Sequence, residues 1–216
     1  MTHRANSKWG AVLALCFLAT LPGRAGVILT IQSAAANQNS TGNSFDVTLA
    51  NTGPSSVSID AFSFGIQTAN ADLSFTDATT ATAAPYIFGV DTLFGPDLTG
   101  ATSGQSLSTS DVDSVSQVTL AGGSTVGLGH VLFSVAAGAV PGVFAVTFIS
   151  PATSLSDAQE NAVAIDALQN GTITIASTVP EPSLLLPLAA VLLIGFVTHQ
   201  FRAPKRRSKL LGGAAR

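Results

Sequence analysis

Between residues 26 and 178 the chain alternates apolar and polar side chains at period two, in short runs separated by Gly, Asn, Asp, Ser and Thr. Successive side chains of an extended strand point to opposite faces, so this alternation reads as half-buried strands rather than helices. The clearest runs are residues 27–32, 44–50, 58–67, 72–75, 114–120, 129–136, 142–149 and 171–176. Eight such strands predict an all-β domain built as a sandwich. In the second run Phe45, Val47 and Leu49 share one face, and Asp46, Thr48 and Ala50 share the other. The third run carries Ile59, Ala61, Phe62 and Phe64, and its slip of phase points to a bulge. Residues 157–168 fit two readings: Ala158, Ala162, Ile165 and Leu168 recur at helical spacing, while Val163 and Ile165 also suit a strand. Nine phenylalanines (Phe45, Phe62, Phe64, Phe75, Phe88, Phe94, Phe133, Phe144 and Phe148) are expected to supply most of the large core groups. Each contributes about 1.5–3 kcal/mol when fully buried. A domain of this size buries about two-thirds of its unfolded surface, enough for a core without staples. An exposed apolar patch is expected at residues 86–94, within the loop-rich stretch 76–105.

The two ends follow other patterns. Arg4 and Lys8 precede an uncharged apolar run, residues 9–21, followed by Pro22-Gly23 and by small residues at Gly23 and Ala25. This is the layout of a secretory signal peptide over residues 1–25. Thirteen residues rise only about 20 Å as a helix, short of a hydrocarbon core of about 30 Å. Leu15 ahead of Cys16 is too large for a lipidation site, and cleavage after residue 25 leaves the mature chain without a thiol. Disulfides and thiol chemistry are then excluded. Near the other end, residues 183–201 carry no formal charge and precede Arg202, Lys205, Arg206, Arg207 and Lys209. They predict a transmembrane helix with its basic end in the cytoplasm and the main domain outside.

Ahead of that helix stand Val179, Pro180, Glu181, Pro182 and Ser183. Two prolines two residues apart keep the segment extended and exposed, a conformation a protease can grip. The order of Pro-Glu-Pro, one apolar helix and a basic cluster over residues 179–209 resembles the PEP-CTERM sorting signal of exported bacterial proteins. The resemblance implies recognition by an exosortase-type protease, removal of the helix from an inner-membrane-anchored precursor, and delivery to the cell surface or exopolysaccharide matrix. A glycosylphosphatidylinositol signal would end in its hydrophobic tail, and a sortase signal would show Leu-Pro-any-Thr-Gly before the helix; neither pattern occurs. A permanent single-pass anchor is the remaining alternative.

Charge narrows the function further. All nine Lys and Arg lie in the first 24 or the last 15 residues. Residues 26–178 hold ten Asp, Glu160, and no Lys or Arg, a formal charge of −11 with His130 neutral. Phosphate backbones are bound by Lys and Arg that displace counterions, so nucleic-acid binding is excluded for this domain. Chemistry that needs a Schiff-base lysine, an arginine clamp or a P-loop lysine is excluded with it.

Within the domain, the strands around Ser44-Phe45-Asp46-Val47-Thr48-Leu49, Ala61-Phe62-Ser63-Phe64-Gly65-Ile66, Leu128-Gly129-His130-Val131-Leu132-Phe133 and Asn170-Gly171-Thr172-Ile173-Thr174-Ile175 resemble, in order and pattern, those of cohesin-like domains. That resemblance implies a jelly-roll β-sandwich. Residues 76–105 depart from the pattern, and no partner-binding residue carries over.

Few residues point to chemistry. His130 lies inside an alternating strand with no Gly-x-Ser-x-Gly elbow in the chain, so it reads as a strand histidine rather than a catalytic base. Carboxylates pair at Asp111/Asp113 and Asp157/Glu160, the arrangement a surface hydrolase would need, but sugar sites also want flat aromatic faces, and the domain has no Trp and only Tyr86. Asp111 and Asp113 are the candidate calcium ligands, since hard cations take carboxylate oxygens, but the EF-hand Gly and closing Glu are missing. The expectation is a non-enzymatic exported protein without a cofactor, meeting a processing protease, the membrane, and an extracellular polysaccharide or surface protein.

Overall fold

The computed structural model describes residues 26–177. The expected signal peptide, Pro-Glu-Pro motif, apolar span and basic end lie outside these residues. Fourteen strands run in order as β1 (Val27–Ile31), β2 (Ala34–Asn37), β3 (Asn43–Asn51), β4 (Val57–Ile59), β5 (Ala61–Thr68), β6 (Leu73–Thr79) and β7 (Thr99–Thr102). They continue as β8 (Ser106–Val112), β9 (Val118–Leu120), β10 (Thr125–Val135), β11 (Gly142–Phe148), β12 (Ser154–Ser156), β13 (Ala167–Gln169) and β14 (Gly171–Ala176). A single 3-10 turn, Ser150–Ala152, is the only helical element among the described residues.

Two sheets face each other. The first has the order β13-β1-β3-β10-β6 and the second β2-β14-β11-β5-β8-β7, with β12 also pairing β5 and β4 pairing β9 in a separate ribbon. Most pairs are antiparallel, while β1 with β13 and β2 with β14 are parallel. These parallel pairs mark a shared device. After β1 the chain crosses at Gln32 and Ser33 to enter the second sheet as β2, and after β13 it crosses at Asn170 to become β14. The crossing strands pass close together: a side chain at Gly171 would meet Ile31 Cγ2 and the Ile31 carbonyl, each at 2.7 Å. The Thr172 amide donates to Ser33 Oγ at 3.1 Å across the same crossing.

The core forms because alternate residues face inward on both sheets. Val27, Leu29 and Ile31 of β1 are buried between half-buried neighbours, and β10 repeats the pattern through Val131, Phe133 and Val135. Phe45 packs edge-on against Phe75, with ring centroids 6.1 Å apart, and lies 5.8 Å from Phe133. Seven of the nine expected core phenylalanines are buried. Phe94 is corrected to a surface residue, 53% exposed, and Phe144 is half-buried at the margin of the core.

The expected runs shift in instructive ways. The run 58–67 breaks at Asp60, so that β4 and β5 join different sheets, and the phase slip is a change of partner rather than a simple bulge. Of the run 114–120 only Val118–Leu120 is strand, because residues 114–117 turn. Residues 157–168 form a turn, bridge and extended segment rather than a helix. β8 carries no apolar alternation: its inward positions are Leu107, Thr109 and Asp111, two of them polar.

The free edge of β6 is covered by residues 96–104. The Phe75 amide donates to the Gly104 carbonyl at 2.7 Å, the Leu98 amide to the Ala78 carbonyl at 2.7 Å, and the Thr80 amide to the Pro96 carbonyl at 3.0 Å. An open strand edge invites pairing with other chains, and this segment closes it. It also brings the long loop to the end of the sandwich.

Candidate functional site

Residues 80–97 form a long loop at one end of the sandwich, fastened from beneath by one carboxylate. Asp111, the last inward residue of β8, is 0% exposed. Its Oδ1 accepts the amides of Phe94 at 3.0 Å and Val112 at 2.8 Å. Its Oδ2 accepts the Tyr86 hydroxyl at 2.6 Å and the Thr92 hydroxyl. Thr92 Oγ1 in turn accepts the Gly95 amide at 2.7 Å. A buried carboxylate without a cation is costly unless it is richly hydrogen-bonded, and these four donors meet that need. Tyr86 has its pKa raised far above the ordinary tyrosine value, first by burial and then by its hydrogen bond to Asp111 and that group's negative charge. Its hydroxyl therefore stays a donor.

The loop is tied at other points too. The Ile87 amide donates to the Gly127 carbonyl at 3.0 Å, and the Gly127 amide to the Pro85 carbonyl at 2.8 Å. The Leu93 amide donates to the Val112 carbonyl at 3.0 Å and the Ser114 amide to the Asp91 carbonyl at 2.7 Å. Beneath it, Phe62 stacks on Phe88 at 5.7 Å, and Tyr86 meets both rings edge-on. Above this footing Val90 is 94% exposed and Leu93 56%, beside Phe94 and the neighbouring Val115. The patch expected at residues 86–94 is there, while Tyr86, Ile87 and Phe88 turn inward as its support.

The other candidate residues serve local structure. Asp113 Oδ1 accepts the amides of Val115 and Ser116, which shapes the turn after β8. Each Asp111 oxygen already has two donors, which match its two lone pairs. Asp157 holds its own turn: its carboxylate accepts the amides of Gln159 and Asn161 and the Asn161 side chain, and these bonds lower its pKa. Glu160 stands in the same turn with a left-handed φ of 62°. His130 Nδ1 lies 2.6 Å from Asp46 Oδ1, directly across the β10–β3 register, and Asp46 Oδ2 accepts the Ala83 amide at 2.7 Å. The imidazole thus belongs to a strand pair that anchors the start of the long loop. Among the described residues no group of three or more His, Cys, Asp or Glu is placed to hold a metal ion, and no helix is long and apolar enough to cross a membrane.

A second feature lies on the outer side of the second sheet. β5 and β8 present Ser63, Gln67, Ser106, Ser108 and Ser110 outward, opposite their buried Phe62, Phe64, Ile66, Leu107 and Thr109. Beyond the pair Val146/Thr68 the strands β5 and β11 part around an open cavity of about 590 Å³. Gln67, Asn70, Ala71, Phe144, Ala145 and Thr147 line it, so its walls carry no acid or base.

Sequence reasoning singled out Asp111 only as a partner of Asp113 and missed its role as a hub, because an Asp at the end of a Ser-rich run looks like a surface residue. The one available signal was the i, i+2 spacing of Leu107, Thr109 and Asp111.

No protein-family model matches the chain, and no curated protein does. Solved structures do. A non-cellulosomal cohesin from the archaeon Archaeoglobus fulgidus aligns with a TM-score of 0.52 and 20% identity, covering 72% of this chain and 94% of that one. The seventh ScaB type I cohesin from Pseudobacteroides cellulosolvens aligns at 0.53 and 15% identity, covering 72% and 96%. A chain of a type I cohesin–dockerin complex from Clostridium thermocellum aligns at 0.51 and 12% identity, covering 70% and 99%. Likeness at such low identity speaks for architecture alone: the described residues form an all-β sandwich with the fold of a cohesin domain.

Proposed function

We propose that the protein is a non-enzymatic, exported component of the cell surface or exopolysaccharide matrix, and that its sandwich binds another protein. The observation that carries this reading is the likeness in fold to cohesins, among them cohesins from Clostridium thermocellum and Acetivibrio cellulolyticus solved in complex with dockerins. A partner of that general kind is served by a rigid surface, and a rigid surface is what the fastened loop and the covered edge of β6 supply. The engagement of Asp111, Asp157 and His130 in structural hydrogen bonds supports a role without catalysis. No cofactor enters the reading, and the doubly occupied oxygens of Asp111 support leaving calcium out of it.

Sorting completes the proposal. The segment Val179, Pro180, Glu181, Pro182, Ser183 is the exosortase recognition motif, the helix 183–201 holds the precursor in the membrane, and the cluster from Arg202 to Lys209 stops transfer. The test is the intact mass of the protein recovered from its native cell surface. A mass ending near residues 179–183 is expected. A mass running to Arg216 would replace the sorting reading with a permanent single-pass anchor. Binding is tested separately by cross-linking on intact cells, where a specific protein neighbour is expected; absence of any would overturn the protein-binding role.

A further inference from the structure

The exposed apolar residues of the long loop stand together. Val90 and Val115 each lie one residue from the 2.7 Å hydrogen bond between the Ser114 amide and the Asp91 carbonyl, and an isolated bridge joins Thr92 to Asp113. Leu93 and Phe94 follow directly. Isolated surface hydrophobes need no explanation, but a cluster of four, rimmed by polar groups, is the mark of an interaction site. The rim here is acidic: Asp91 and Asp97 are exposed, and Asp113 is half-buried beside them.

The charge around the patch decides what can cover it. Residues 26–177 contain no Lys or Arg, and their one imidazole, His130, is paired with Asp46. A second copy of the domain would set carboxylates against carboxylates with no cation between them. Anionic lipid and nucleic acid would be repelled in the same way. A protein segment carrying both apolar and cationic side chains satisfies both halves of the patch: its apolar groups cover Leu93 and Phe94, and its Lys or Arg meet Asp91, Asp97 and Asp113. The loop is also ordered before any partner arrives, because Asp111 fixes Tyr86, Thr92 and Phe94 from below. Binding then carries little cost for ordering it.

Resting on the protein-binding role proposed above, we propose that residues 90–97 with Asp113 and Val115 are a docking surface for a basic, amphipathic segment of a partner protein. This surface is distinct from the Ser-rich outer face of β5 and β8.

The test uses the full chain and a synthetic amphipathic peptide with leucines on one face and lysines on the other. Saturable binding is expected, weakened about tenfold in the double variant Leu93→Ser/Phe94→Ser and also weakened in Asp91→Asn/Asp97→Asn. Both variants keep Asp111 and its donors, so unchanged thermal unfolding confirms that the loop is intact. A lysine peptide without leucine that binds equally well would reduce the effect to bulk charge and overturn the proposal. So would equal affinity in Leu93→Ser/Phe94→Ser. Affinity that appears only after removal of the residues beyond Ser177 would show that the chain's own basic end covers the patch, and would overturn it as well. On intact cells the two readings separate: a cross-linked protein partner unaffected by Leu93→Ser/Phe94→Ser leaves the binding role standing and removes only this surface.

Discussion

Asp111 concentrates at one residue what the loop requires. Four donors converge on a carboxylate that water does not reach, and three of them come from the loop above it. Asp111→Ala leaves the Tyr86 and Thr92 hydroxyls and the Phe94 amide without an acceptor, so it is expected to cost about 3 kcal/mol in denaturant unfolding. Tyr86→Phe leaves three of the four donors in place and is expected to cost about 1 kcal/mol. Tyr86 also sets an alkaline limit. Its pKa in the folded protein is raised, while an unfolded tyrosine ionises near pH 10. The contribution is therefore complete below about pH 10, and above it the unfolded state is increasingly favoured by releasing the phenolic proton. As the chain has a single Tyr, phenolate absorbance should appear together with unfolding. A phenolate that forms in the folded protein near pH 10 would contradict this, and Tyr86→Phe should remove the slope.

The elements show where periodicity sufficed and where it did not. β1, β3, β10, β11 and β14 were legible because their alternate side chains are apolar and the sandwich interior takes one face of each strand. β8 was not, because Thr109 and Asp111 face inward and are made tolerable by hydrogen bonds to Leu98 and to the loop. β2, β12 and β13 are short pieces whose pairing depends on distant strands, and no local pattern announces that. β10 begins where the long loop crosses it, and Gly127 makes this approach possible. A Cβ there would run into the Thr82 side chain, whereas one at Gly138 meets nothing. Gly127→Ala is expected to destabilise by about 1–3 kcal/mol and to loosen amide protection at Ile87. Gly138→Ala should be neutral or slightly stabilising. Equal effects at the two sites in denaturant unfolding would show that the crossing is not tight.

At the scale of the whole domain, a charge of −11 acts on a body held together by apolar packing and hydrogen bonds. The described residues hold no Lys or Arg, and their one imidazole, His130, lies against Asp46, so the other carboxylates repel one another without a cationic side chain beside them. Salt shortens the reach of that repulsion to about 10 Å at 0.1 M. The thermal midpoint at neutral pH is therefore expected to rise with added sodium chloride and then level off. A midpoint that falls over the same range would mean that the acidic groups are collectively favourable in the folded state. The same unpaired charge underlies the proposed docking surface, since a cationic segment gains by approaching the loop.

Sequence alone determined the all-β class, because period-two alternation is a local consequence of strand geometry and survives without knowledge of partners. It set the expectation against nucleic-acid binding by this domain as well, because charge content does not depend on folding. The ends too were read from composition and order, and the sorting proposal rests on that reading. Only the tertiary structure decided that Phe94 faces water while Phe88 is buried, that Asp111 is an inward anchor rather than a surface acid, and that Asp113 and Asp157 cap turns. Each of those outcomes depends on which distant segment arrives at the residue. Asp111 is a hub because Tyr86, Thr92 and Phe94 are brought to it by the loop that leads into the segment covering the edge of β6, and that meeting follows from sheet order, which no single run of residues encodes.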